Sequence, residues 1–151
     1  ERAMYWGGNW MGGHASIGTT GTAPSWYFAE GASANNFDTY YTILNPNTTP
    51  VTLNIAYYGL SGSLGTKTKT VAAQSRGTVT LSQDVGLATS VAARFETADS
   101  SGVIMERSMY WGSGGFPNWV DGTNSLGATA GDQALSIGPR TANIVCSLIS
   151  G

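Results

Sequence analysis

Hydrophobic and polar residues alternate over short stretches of the chain, and this period of two is typical of β-strands. Glycine, asparagine, aspartate and serine, which favour turns, separate the stretches at regular intervals. Many short strands with regular turn signals are typical of an all-β sandwich. We predict an antiparallel β-sandwich with seven strands at 26–30, 39–44, 51–58, 66–71, 77–81, 91–97 and 103–110, and a short helical turn near 82–87.

The alternation also assigns faces to individual strands. In 51–58, the odd-numbered residues are apolar and are predicted to face the core. Lys67 and Lys69 lie on one face of their strand, as is common at a sheet edge that must not pair with other chains. In 103–110 neither face is purely polar, so we expect both faces of this strand to be covered.

An internal repeat organises the chain. The segment ERAMYWGG at 1–8 recurs as ERSMYWGS at 106–113, with six of eight positions identical. The match continues from NWMGGHASIG at 9–18 to NWVDGTNSLG at 118–127, after a glycine-rich insertion of the kind a surface loop tolerates. A spacing of about 100 residues is the size of one sandwich domain.

The repeat predicts three regions. Residues 1–22 are expected to be the terminal strand and loop of a preceding repeat, and residues 25–127 a complete sandwich domain. Residues 128–151 form a C-terminal extension in which no segment like WYFAEG at 26–31 returns. The opening of the chain in mid-pattern leads us to expect a piece of a longer array.

The ordered motifs WYFAEG at 26–31, Asn-Pro-Asn at 45–47, ERSMYW at 106–111 and HASIG at 14–18 resemble tandem immunoglobulin-like repeats. Such repeats occur in large secreted or surface proteins of bacteria such as actinobacteria and Chloroflexi. The resemblance covers residues 1–127. It implies an immunoglobulin-like fold for the antiparallel β-sandwich at 25–127 and a tandem array at an extracellular or cell-surface location, and it implies no particular activity.

Composition excludes several classes of partner. Only 11% of the residues are charged and the net charge is −2, so the basic patch that nucleic-acid binding requires is missing. No stretch reaches the roughly 20 apolar residues of a membrane-spanning helix, and we expect no membrane insertion. The single cysteine, Cys146, cannot form an intrachain disulfide.

Reactive groups are too sparse to suggest catalysis. The one histidine, His14, is predicted to lie in a surface loop, and its counterpart in the repeat is Thr123. We therefore expect no enzyme, no metal site and no cofactor. Arg107 is predicted to be buried and to pair with Glu30 or Glu96 on a neighbouring strand.

Aromatic residues are the remaining candidates for a binding site. A row of exposed rings could stack on sugars and make the domain a carbohydrate-binding module, although packing within the sandwich explains the same rings. The candidate residues for binding polysaccharide are Trp10, Trp119, Tyr40 and Tyr58.

Our leading hypothesis is a non-catalytic extracellular structural module, serving as a spacer, adhesin stalk or filament subunit. Because the first strand nearly duplicates the strand at 103–110, it could fill the equivalent position in a neighbouring copy by β-strand addition and connect copies head-to-tail. The residues of this assembly strand are Arg2, Met4, Tyr5 and Trp6.

Overall fold

A computed structural model describes residues 2–6, 12–112 and 119–129. Ten strands and one short helix lie in this part of the chain, and no helix in it is long and apolar enough to cross a membrane. The elements are β1 (Arg2–Trp6), β2 (Gly12–Ser16), β3 (Ser25–Phe28), β4 (Phe37–Asn45), β5 (Val51–Gly59), β6 (Gly62–Val71), β7 (Ser75–Thr80), α1 (Leu81–Val85), β8 (Ala92–Thr97), β9 (Ile104–Trp111) and β10 (Asp121–Leu126).

Two antiparallel four-stranded sheets form a sandwich. One sheet has the strand order β10-β9-β4-β7 and the other has the order β3-β8-β5-β6, while β1 and β2 form a separate hairpin. The predicted all-β sandwich is confirmed. Its strand order differs from that of an immunoglobulin constant domain, in which the first strand pairs with the second; here β3 pairs with β8, and β9 pairs with β4.

All seven predicted strands are present, with ends that differ by zero to four residues, and the predicted helical turn is α1. Two strands were missed. Residues 12–16, which belong to the predicted loop of 1–22, form β2, and residues 121–126, for which no strand was predicted, form β10. The N-terminal region therefore contains a hairpin rather than one strand and a loop.

Aromatic rings fill the space between the two sheets. Phe95, which is fully buried, lies with its ring centroid 5.0 Å from Tyr41, 5.9 Å from Phe28 and 6.5 Å from Tyr57. Trp26 is also buried, and its Nε1 donates hydrogen bonds to the carbonyl oxygens of Ala23 and Val103. The indole thus joins the segment before β3 to the start of β9.

The predicted faces are confirmed in β5 and β6. Residues 51, 53, 55 and 57 are buried, and the residues between them are half-buried or exposed. β6 is an edge strand, and Lys67 and Lys69 lie opposite Ile55 and Leu53 on its inward side. Charges that point inward at an edge prevent pairing with another sheet.

Candidate functional site

The two copies of the repeated sequence fold into the same hairpin. In the N-terminal copy, residues 2–6 of β1 lie opposite residues 16–12 of β2. In the second copy, residues 107–111 of β9 lie opposite residues 125–121 of β10. Every one of the five pairs joins equivalent positions of the repeat, so the repeat conserves a strand register and not only a sequence.

A tyrosine packed over a glycine fixes this register in both hairpins. Gly122 lies opposite Tyr110, and a Cβ atom at Gly122 would lie only 2.6 Å from Cδ1 of the tyrosine ring. Gly13 lies opposite Tyr5, where the corresponding distance is 2.9 Å. Because any larger residue at the glycine would push the ring away, a shift of register by one residue is disfavoured.

The N-terminal hairpin packs on the outer face of the sheet that contains β9 and β10. The Tyr110 hydroxyl lies 3.7 Å from Sδ of Met4, and Nδ2 of Asn124 donates to Oγ of Ser16. His14 Nε2 donates to the Asn124 carbonyl oxygen at 3.0 Å. His14 is thus half-buried in β2, and the prediction that it lies in a surface loop is wrong.

The hairpin explains why β9 is covered on both faces, as predicted. Met105 and Met109 are buried on the core side, and Ser108 on the opposite side is only 4% exposed. The position beside β4 that the predicted assembly strand would fill is occupied by β9 of the same chain. β1 (Arg2–Trp6) can therefore add to β4 only in a domain whose β4 edge is not already paired with a β9 strand.

Three aromatic rings converge on this same outer face. Tyr110 and Trp119 are stacked with ring centroids 4.6 Å apart, and Tyr40 meets each of them edge-on at 6.1 Å. Trp119 Nε1 donates to the Asp38 carboxylate at 2.7 Å. Burial, with the charge of Asp38 as a lesser cause, raises the pKa of Tyr40 above its ordinary value.

The rings border a shallow depression of about 270 Å³ between the hairpin and the sheet. It combines ring surfaces with hydroxyl groups and one guanidinium group, which is the chemistry that an uncharged polar ligand such as a sugar requires. The lining residues are Met4, Tyr40, Thr42, Arg76, Thr78, Ser108, Tyr110 and Trp119.

The structure brings together two of the four predicted binding residues. Tyr40 and Trp119 are neighbours in the aromatic cluster, whereas Tyr58 lies on β5 in the other sheet and is 41% exposed. Trp10 lies outside the described residues. Of the assembly strand, Met4 contacts Tyr110 and Tyr5 is 63% exposed, while Arg2 and Trp6 are placed in β1 by their backbone alone.

Sequence reasoning missed Tyr110 as a member of the cluster. Tyr110 is the first aromatic residue of the repeated motif, and its alternation with Met109 predicts an outward ring. The stacking of its ring on Trp119 is a tertiary contact between β9 and a residue just before β10. No local pattern in the sequence carries this information.

The charged residues form pairs rather than a reactive cluster. Arg107 donates to the Glu30 carbonyl oxygen at 2.6 Å, and its Nη1 lies 3.6 Å from the Glu30 carboxylate, so the predicted pairing is confirmed. Arg94 and Glu96 form an ion pair on the outer face of β8. Within 2–6, 12–112 and 119–129, no group of three potential metal ligands occurs.

No protein-family model and no curated protein matches the chain. Solved structures are similar to it, and two of them are described here. The crystal structure of Thermotoga maritima 1070 aligns with a TM-score of 0.62 and 14% identity, over 72% of this chain and 96% of that chain. The Anabaena sensory rhodopsin transducer aligns with a TM-score of 0.46 and 19% identity, over 60% of this chain and 97% of that chain. The first likeness shows the β fold alone.

Proposed function

We propose that the chain is a non-catalytic extracellular structural module, one unit of a tandem array that serves as a spacer or stalk at a bacterial cell surface. One observation carries this proposal: the two repeat-related hairpins have the same register and the same tyrosine-over-glycine contact. A protein built from copies of one folded unit requires that each copy repeat its geometry.

Other features of the structure support a mechanical role as a spacer. The core is continuous and aromatic, the edge strand β6 is protected by lysines, and the half-buried Arg107 is paired with Glu30. The depression beside Tyr40 and Trp119 is open to solvent, like a surface groove between elements. A stable core and a repeated hairpin are properties that a spacer requires.

Immunogold electron microscopy tests the location that the proposal requires. Antibodies raised against residues 25–127 are expected to label intact cells that produce the protein, at a distance from the envelope. Antibodies against a cytoplasmic protein of the same cells provide the control and should label only after permeabilisation. Labelling of the domain only after permeabilisation would contradict the extracellular proposal.

The second candidate function is carbohydrate binding at the aromatic cluster. The observation that favours it is the convergence of Tyr40 and Trp119 beside a depression that also offers Arg76 and two threonine hydroxyls. Against it stands the use of the rings in mutual packing. One face of the Trp119 indole is stacked on Tyr110, and its Nε1 is bonded to Asp38.

Substitution of Trp119 separates these two functions. If the ring serves packing alone, Trp119→Ala should lower the free energy of unfolding by about 2 kcal/mol, because a stacked ring and a hydrogen bond to a carboxylate are lost. The unaltered chain should then bind no polysaccharide on a glycan array. If the cluster binds sugar, binding should be abolished in Trp119→Ala and retained in Tyr58→Ala, which removes an exposed ring from the other sheet.

A further inference from the structure

The two equivalent hairpins have different surroundings in this chain. β9–β10 completes a sheet, because β9 pairs with β4 along eight residues. β1–β2 pairs with no other strand in the described part of the chain, although its sequence and register match those of β9–β10. In the described part of the chain, β1–β2 thus has the sequence and register of a sheet-edge hairpin but belongs to no larger sheet.

The face that β1–β2 turns toward the domain is the face that β9–β10 turns toward the core. On β9–β10 the inward positions include Met109, which is 6% exposed, with Thr123 opposite it on β10. Their equivalents in the first hairpin are Met4 and His14, and both contact the outer face of this chain's own sheet. The outward equivalents, such as Tyr5, are exposed.

One face cannot occupy both positions at once. While Met4 and His14 pack on the outer face of β9–β10, they cannot also cover the space between two sheets of another domain. The position seen here and the position occupied by β9–β10 therefore exclude each other.

We propose that β1–β2 is the closing hairpin of a neighbouring domain of this same type, and that it pairs through β1 with the open β4 edge of that domain. In the register that β9 uses, Ala3 would lie opposite the neighbour's equivalent of Tyr40, and Tyr5 opposite its equivalent of Asp38. The contact with the outer face of β9–β10 is the alternative, resting position. This inference rests on the proposed tandem array, to which it adds the partner surface and its register.

A graft within the full chain tests whether the sequence of β1–β2 can occupy the sheet position. The variant replaces the residues of β9 and β10 that differ from their equivalents in the first hairpin, namely S108A, D121G, T123H, N124A and L126I. We expect this variant to unfold cooperatively and to keep the amide of Tyr110 protected from hydrogen exchange to within about tenfold of the unaltered chain.

A matched control uses the same residue types in the wrong register. It carries the same substitutions except that histidine is placed at 122 and glycine at 123, as G122H and T123G. Because a Cβ at position 122 would collide with the ring of Tyr110, we expect the control to lose protection of the Tyr110 amide by far more than about tenfold. N124A alone reports what is lost when only the contact of Asn124 with Ser16 is removed.

Each result decides the question. Protection retained in the graft and lost in the control supports the inference. If the graft loses as much protection of the Tyr110 amide as the control does, the inference is overturned. It is also overturned if both variants keep this protection, because the fit would then not depend on register. Because the graft reports only on hairpin fit, its failure leaves the spacer proposal standing. Failure of the immunogold test would contradict the extracellular array, whereas the graft would still measure whether the sequence of β1–β2 fits the sheet position.

Discussion

Above pH 10 the protein is expected to lose stability steeply, by about 5 kcal/mol in the free energy of unfolding between pH 10 and pH 12. The cause is a pair of buried tyrosines in the core, Tyr41 and Tyr57, both fully shielded from solvent. Burial raises the pKa of each hydroxyl well above its ordinary value of about 10. For Tyr57, the hydrogen bond that its hydroxyl donates to the Asp84 carboxylate raises the pKa further.

The direction follows from proton counting. Below pH 10, both tyrosines are protonated in the folded and the unfolded chain, and the raised pKa values do not change the free energy of unfolding. Above pH 10, the unfolded chain releases these protons and the folded chain retains them, so that unfolding becomes more favourable by about 1.4 kcal/mol per group for each pH unit. The loss continues until the pH reaches the pKa of the folded state.

Urea unfolding followed by tryptophan fluorescence at several pH values measures this slope. In Tyr41→Phe the slope should fall by about 1.4 kcal/mol per pH unit, because one titrating group is removed. Near pH 7 this variant should be at least as stable as the unaltered chain, since the Tyr41 hydroxyl is buried without a hydrogen-bond partner.

The control for packing is Phe28→Leu. It lowers core packing beside Tyr41 and removes no titrating group, so the free energy should fall by the same amount at every pH. If Tyr41→Phe had the same slope as the unaltered chain, burial of Tyr41 would not be the cause of the alkaline instability.

The sandwich could be predicted from the sequence because its strands carry a strong local signal. β5 has a large hydrophobic residue at every odd-numbered position from Val51 to Tyr57, and the segments before and after it hold turn-forming residues. β10 has no such signal. Its residues, DGTNSL, are typical of a turn, and the strand forms because pairing with β9 overrides the low strand propensity of glycine, aspartate and asparagine.

The candidate site could be predicted only in part. Tyr40 was predicted as a candidate exposed ring, and it lies on the outer face of β4, next to the buried Tyr41. Its meeting with Trp119 depends on a segment 79 residues further along the chain, and the depression beside it depends on Met4 of the N-terminal hairpin. Contacts of this kind are determined by tertiary packing, and the periodicity of the sequence does not predict them.

Asn45 illustrates the same limit, and its removal carries the second large expected effect. The motif Asn45-Pro46-Asn47 lies between the strands predicted at 39–44 and 51–58, and its residue types favour a turn. In the structure Asn45 is fully buried, and its Nδ2 lies 2.9 Å from the carbonyl oxygens of Thr49 and Ala72 and 3.2 Å from that of Val71. One side chain thus joins the end of β4 to the segments that precede β5 and follow β6.

The acceptor side of the same amide extends the network. Asn45 Oδ1 accepts hydrogen bonds from the backbone N–H and from Nδ2 of Asn47. Asn47 Nδ2 also donates to the Gly102 carbonyl oxygen, in the loop before β9. The Asn-Pro-Asn motif therefore closes one end of the sandwich by hydrogen bonds between loops that are distant in sequence.

Asn45→Ala should lower the free energy of unfolding by about 3–5 kcal/mol, because the variant loses every hydrogen bond that the buried amide donates and accepts. The Ala72 carbonyl oxygen would keep one donor, the Ser75 hydroxyl. Urea unfolding at pH 7 measures the loss. Asn54→Ala, the same change at an exposed position of β5, is the matched control and should change stability by no more than about 0.5 kcal/mol.

Asn45→Asp separates hydrogen bonding from packing. Aspartate has nearly the same shape and keeps one acceptor oxygen, but its second oxygen would face the carbonyl oxygens that Nδ2 now contacts. We therefore expect Asn45→Asp to be at least as destabilising as Asn45→Ala at pH 7, and less so at acidic pH, where a protonated carboxyl group regains one donor. Stability near that of the unaltered chain at pH 7 would mean that the amide fills space without holding the loops together.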